Sequence, residues 1–416
     1  MHEFVMQGGR WTTLATLLLL WSSVALAPAR AQKTEIEEFE KLDPYTKGER
    51  AALDKAGYVT LSPDRYGEKH TPAEMLQTLG TVSVIQIETA HFRIISTLET
   101  YKPTTDVREK AALEAEFDEL KKKLPKAKLS SKIDPWLRAH LYAQRLEKLY
   151  EDFWRRFGLR EDDFISLEAK AAEGMPMGVG PYLGQKEKFI VLLSNTRSAL
   201  GRYLRTYVGQ ENEYSYRAHF PDCYFFGTNF EALEDNGRDL DIALYTQTAG
   251  AVVQNFLDAF RDSNQPVPEW LRYGLAHWYS RRIDARWNQW NAGGASDPEN
   301  DENWRWPERI VGLVKNDAAV SWEQMTDWAT YEDIKPRDHM LCWSRVDWLL
   351  DQRKGDMRAF LMALTHPVTP VTGPERTKAI RDQEWRAYST VWKQTPAELD
   401  RVWRAWMLKQ YPKRDE

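Results

Sequence analysis

The stretch Val267–Arg282, VPEWLRYGLAHWYSRR, lines up side chains that do chemistry in other settings. On a helix, His277 lies one turn beyond Tyr273 on the same face, and Ser280 and Asp284 follow along it. An imidazole, a hydroxyl and a carboxylate act as base, nucleophile and orienting group only when they converge. A histidine flanked by Trp278 and Tyr279 is more often a packed group than a ligand, so His277 needs a partner from elsewhere to count. After the N-terminal segment the other histidines are His70, His91, His140, His219, His339 and His366, and no two stand four apart. No Gly-x-Ser-x-Gly elbow, phosphate loop, dinucleotide fingerprint or Cys-x-x-Cys is present. Acidic residues are plentiful, but nothing marks one pair for glycoside chemistry.

The elements that must position these groups are mostly helical. Val82–Thr97 is β-branched and alternating and predicts one or two strands. Residues 106–125 and 134–158 predict two helices, the second with Leu137, Leu141, Leu146, Leu149, Tyr150, Phe153, Trp154 and Phe157 on a broad apolar face. Glu187–Asn195 reads as a buried strand followed by a helix over 197–208, and Cys223–Glu231 as another strand. Leu240–Arg261 is a long helix, and a Pro-bearing loop joins it to the helix holding His277. Beyond a Trp- and Asn-rich loop the chain is helical again. Thr71–Glu74 and Thr395–Glu398, both Thr-Pro-Ala-Glu, carry capping-box signals.

This order, with Trp270-Leu271-x-x-Gly274-Leu275-Ala276, resembles the thermolysin-like zinc peptidases, whose pattern is His-Glu-x-x-His and then a Glu after 18 residues. The resemblance covers roughly residues 82–410. It implies an α+β, mainly helical fold in which a small mixed sheet packs on a zincin-like pair of helices, with a helical C-terminal part. It also aligns Tyr273 with the third zinc ligand, and with 18 residues between, Gln254 and, four before it, Gly250 take the two His positions, with Ala251 at the catalytic Glu. Catalytic zinc sites use imidazole, thiolate or carboxylate. Glycine has no side chain, glutamine offers a neutral amide, and a phenol must lose a proton from near pH 10 to bind. Ala251 supplies no base. The four positions therefore imply a peptidase-like chain without zinc, cofactor or hydrolysis at this place. Gly250 has two readings, close helix packing or a space once filled by metal.

The remaining composition bounds the setting. Residues 1–31 read as a signal peptide, with an apolar run and Ala29-Arg30-Ala31 as a cleavage site. This implies export to a periplasm or the exterior, with a non-cleaved anchor as the alternative. Cleavage removes two of 57 basic and one of 62 acidic residues, leaving 55 and 61, a net charge of −6. No basic stripe suggests nucleic acid, and no later run is long enough to span a bilayer. Cys223 and Cys342 either pair or stand as buried free thiols. The expected divisions are an N-terminal extension 32–80, a peptidase-like region 81–282, a Trp/Asn-rich loop 283–308 and a helical region 309–416.

Three functional readings follow. The first is an exported pseudo-peptidase that binds a peptide, protein or glycan through the inherited cleft. His277, Trp278, Trp287, Trp290, Trp304 and Trp306 are its candidate contacts; the alternative for the tryptophans is a loop pinned to the body by buried indoles. The second is an active hydrolase whose site lies elsewhere, signalled by His277 with an acidic partner. The third is a structural component of the cell envelope, signalled by Tyr273 and Gln254 packed against neighbours.

Overall fold

The computed structural model describes residues 40–62, 72–80, 83–103, 106–164, 180–235, 240–261, 267–288, 305–364 and 374–413. The signal-peptide and Thr71 cap expectations fall outside them. The chain starts with helix α1 (Arg50–Ala56), strand β1 (Tyr58–Thr60), helix α2 (Pro72–Leu79) and the hairpin β2 (Ile85–Thr89) and β3 (Phe92–Ser96). Helices α3 (Val107–Lys123) and α4 (Pro135–Arg156) follow, then β4 (Phe189–Ser194), α5 (Arg197–Tyr203), β5 (Tyr216–His219) and β6 (Tyr224–Asn229). Two long helices come next, α6 (Asp241–Arg261) and α7 (Glu269–Asp284). The C-terminal part consists of α8 (Trp306–Lys315), α9 (Pro336–Gln352), α10 (Met357–Ala363), α11 (Pro374–Ala387) and α12 (Pro396–Gln410).

The six strands form one mixed sheet in the order β1-β2-β3-β4-β6-β5. β3, β4 and β6 run parallel, while β1, β2 and β5 pair antiparallel to their neighbours. Period-2 alternation divides the central strands between two cores. Phe189, Val191 and Leu193 of β4 face a large core shared with α4 and α6, whereas Ile190 and Leu192 face a smaller one with Met75, Leu79, Leu200 and Tyr203. A strand covered on both faces reads as a continuous apolar run, which is how FIVLLS reads. The fold is thus α+β and mainly helical around a small mixed sheet.

Two strands lie outside the sequence expectation. β1 and β5 are short edge strands with no apolar alternation, YVT and YRAH, so only the pairing across the sheet identifies them. Through β1 the segment 40–62, expected as an extension, joins the body, and Tyr58 bonds His140 on α4 (2.9 Å).

Local signals set the helix starts. Asp106 and Asp134 accept from the backbone N–H three residues on, and both arms of the Thr395–Glu398 capping box are made. The start of α6 is held by charge. Asp241, buried, accepts from Arg138 (3.2 Å) and Arg145 (2.5 Å) of α4, and Arg145 also pairs Glu116 of α3 (2.7 Å). Removing one partner of a buried pair strands the other charge. Asp241→Ala is expected to destabilise the fold by about 3–5 kcal/mol, the cost typical of breaking a buried pair, measured by urea unfolding against the native chain.

Candidate functional site

Helix α7 is buried along most of its length, wedged between α6 and α9. Two glycines set that wedge. A Cβ on Gly250 of α6 would stand 2.6 Å from Ser280 Oγ and 3.5 Å from the Ala276 carbonyl oxygen. A Cβ on Gly274 would stand 2.6 Å from both the Cys342 carbonyl oxygen and Val346 Cγ2 of α9. Each glycine allows a helix backbone to approach its neighbour more closely than any side chain permits. Ser280 uses that proximity, its hydroxyl donating to the Thr246 carbonyl (2.9 Å). Of the two readings of Gly250, close packing accounts for it.

One turn on, Gln254 faces the sheet edge. Arg217 of β5 spreads its guanidinium over α6, donating from Nη1 to Gln254 Oε1 (2.5 Å) and from Nε to Asn255 Oδ1 (2.7 Å), and pairing through Nη2 with Asp258. Asp258 also meets Arg272 of α7 (3.0 Å), which pairs with Glu269 (2.6 Å). A ladder of alternating charge thus ties β5, α6 and α7. Burial raises the Glu269 carboxyl above its ordinary range, with Arg272 opposing it. Tyr273 lies in reach of the same charges, and burial, then Glu269, push its phenol further above 10. Its ring packs against Tyr331 (5.2 Å) and edge-on to His339 (5.5 Å). Gln254, Tyr273, Arg217, Asp258, Arg272 and Ala251 are all half-buried.

His277 turns away from this ladder. Its Nδ1–H donates to Asn288 Oδ1 (3.0 Å), which leaves Nε2 to accept from His339 Nδ1–H (3.0 Å). Both rings are buried, and that burial pulls the imidazoles down, His277 to about 4 and His339 to about 2. Ser280 is engaged with Thr246, and Asp284 binds Arg286, which in turn pairs with Asp106. The helix therefore assembles no triad, and the His277 ring-nitrogen partners are an amide and an imidazole rather than a carboxylate. Among the described residues no cluster of three His, Cys, Asp or Glu is arranged to hold a metal ion, and no helix is long and apolar enough to cross a membrane.

The tryptophans divide. Trp278 is buried, donates to Asp347 (3.2 Å), and is covered by the guanidiniums of Arg156 and Arg282. Trp306 is buried against His277 and Trp343 with Arg281 over its ring (4.3 Å). Both indoles are packing groups here rather than an open rim. Trp287 is half-buried beside Leu240, Ile242 and Ala243, and Trp290 and Trp304 lie outside the described residues. His91 pairs with Glu147 (2.7 Å), His140 with Asp43 (3.1 Å), and His219 packs on Tyr224, while His70 and His366 are not described. Cys223 and Cys342 are free and buried, and burial pushes the Cys223 thiol up to about 12.

Arg217 and His339 are the contacts that sequence reading missed. Arg217 sits on a strand with no alternation signal, and His339 is 62 residues from His277, so no spacing rule joins them. In comparison with known proteins, the chain matches no family model, no curated protein and no solved structure.

Two outcomes are expected. Gly250→Ala gains about 1 kcal/mol of helix propensity but meets Ser280, and overpacking costs about 1–3 kcal/mol. It should destabilise the native chain yet be neutral or stabilising in a Ser280→Ala background, where the next atom is at ordinary contact distance. Equal effects in both backgrounds, measured by a double-mutant cycle, would remove the packing explanation. The second outcome concerns acid. A His whose folded pKa lies below its unfolded value binds more protons when unfolded, so stability is intact above about pH 6.5 and falls as pH drops toward 4. For His277 the loss is roughly 3 kcal/mol, and His277→Gln should remove that share of the slope over the window, leaving the share that His339 contributes.

Proposed function

We propose that this chain is an exported, non-catalytic relative of the thermolysin-like peptidases that binds an extended peptide or protein segment beside α6 and α7. The single observation carrying the reading is the Arg217 guanidinium fixed on Gln254, Asn255 and Asp258. The resemblance places metal ligands at 250, 254 and 273, and at the second of these stands a resident organic cation with matched acceptors. The half-buried Arg217, Gln254, Asp258, Arg272, Tyr273 and Tyr331 give this wall donors, acceptors and phenol faces, the groups that recognise peptide units. A glycan ligand draws less support, since Trp278 and Trp306 are buried.

A second reading, a structural component of the cell envelope, draws on the same contacts: Gln254 is engaged by Arg217, and Tyr273 packs on Tyr331 and His339. Selection of displayed peptides on the mature protein, repeated with Arg217→Ala, separates the two. Peptide binding predicts an enriched set whose affinity falls at least tenfold in the variant. No enrichment on either protein, with the native fold confirmed by circular dichroism, would remove the peptide reading and leave the structural one.

A further inference from the structure

A second polar centre lies on the far side of Trp270, the tryptophan of the Trp-Leu-x-x-Gly-Leu-Ala stretch. Glu384 of α11 is fully buried, and so are Trp270, Trp322 and Tyr388 around it. Its Oε1 accepts from Trp270 Nε1–H (2.6 Å) and from the Tyr388 hydroxyl, which itself accepts from Trp322 Nε1–H (3.0 Å). Its Oε2 has no hydrogen-bond partner among the described residues. Three elements therefore meet on one carboxyl: α7 through Trp270, the turn Trp322–Met325 through Trp322 and Tyr388, and α11 itself.

Among the described residues no cation pairs with it. The charged neighbour acting on Glu384 is Asp327, also acidic and already paired with Arg381 (2.6 Å). Arg345 of α9, 5.5 Å from the Trp322 ring, is committed to Asp400 (3.0 Å). On α7, Glu269 and Arg272 pair with each other. The rest of the surround is aromatic: Phe360 of α10 and Trp392 stack on Tyr388 (5.8 and 5.5 Å). An ionised carboxylate in such a place, taken from water with no counter-charge, costs several kcal/mol, so the group keeps its proton instead. Burial accordingly pushes the Glu384 carboxyl up to about 8. Tyr388 also opens a π-helical turn, Tyr388–Trp392, closed by Lys393 in the left-handed region (φ 56°). Single π turns are uncommon in helices and often stand at functional positions.

We infer that Glu384 is a buried proton switch: neutral, it is tolerated at the junction of α7 with the C-terminal helices, and ionisation loosens that junction by leaving a charge on the buried, unpartnered Oε2, although Trp270 and Tyr388 still donate to Oε1. The carboxyl loses its proton to solvent, and the charge left behind favours conformations that admit water between Trp270 and the π turn. The sign follows from linkage. The folded chain holds a proton that the unfolded chain releases near pH 4.5, so the stabilisation is complete below that and is lost as pH rises to about 8.

The test is urea unfolding, read by tryptophan fluorescence from pH 5 to 9, for the native chain and Glu384→Gln, which keeps the shape and cannot ionise. For this one group the unfolding constant of the native chain should rise by up to about tenfold per pH unit between 5 and 8, and the variant should lack that component. Parallel curves for the two proteins would overturn the switch. Hydrogen exchange on the native chain serves if the variant fails to fold. With intrinsic rates removed, protection at residues 270–274 and 384–392 should fall selectively from pH 6 to pH 9. A uniform change across the helices would overturn the inference.

Discussion

Helix α7 rests on two close backbone approaches, Gly250 against Ser280 on one side and Gly274 against the Cys342 carbonyl on the other. Most of what surrounds the candidate site follows from that wedge. Because α7 comes so near α6, Arg272 reaches Asp258, and Arg217 on the sheet edge completes the ladder. Because α7 comes so near α9, Tyr273 and His277 meet His339. Close-packed interiors transmit such constraints, since a side chain added at either crossing must displace a neighbouring atom.

Around the wedge the polar groups sort by whether a counter-charge is present. Asp241 has two guanidiniums and stays ionised, its carboxyl held below the ordinary range although burial alone would raise it. Burial drives His277, His339 and Glu384 toward their neutral forms, and among the described residues no counter-charge pairs with His277 or Glu384. The two kinds of site respond oppositely to pH. The histidine contribution is lost as pH falls from about 6.5, the Glu384 contribution is lost as pH rises from about 4.5 to 8, and the two losses overlap rather than leaving an intact window between them.

Much of the scaffold was legible in the residues. Buried strand signals marked β4 and β6, the Thr395–Glu398 box marked a helix start, and a Pro-bearing loop separated α6 from α7. These are local signals, and local physics sets them. The site was less legible because its decisive contacts are not local. Arg217 comes from an edge strand with four half-buried or exposed residues, and it meets Gln254 across 37 positions. His277 looked like one member of a row with Ser280 and Asp284, yet each bonds a different neighbour. Trp278 and Trp306 read either as rim or as anchor, and their burial decides for anchor. Gly250 was ambiguous for the same reason, since a glycine states only that space is short or backbone is free, and Ser280 supplies the missing half.

The central claim is that Gln254 is held by the Arg217 guanidinium rather than by a metal ion. Crystals of the protein grown with excess zinc, with diffraction collected on both sides of the zinc absorption edge, test it most directly. The expected map shows no anomalous peak between Gln254 and Tyr273, with Arg217 still bonded to Gln254, Asn255 and Asp258. A full-occupancy zinc peak there, with Arg217 swung aside, would contradict it.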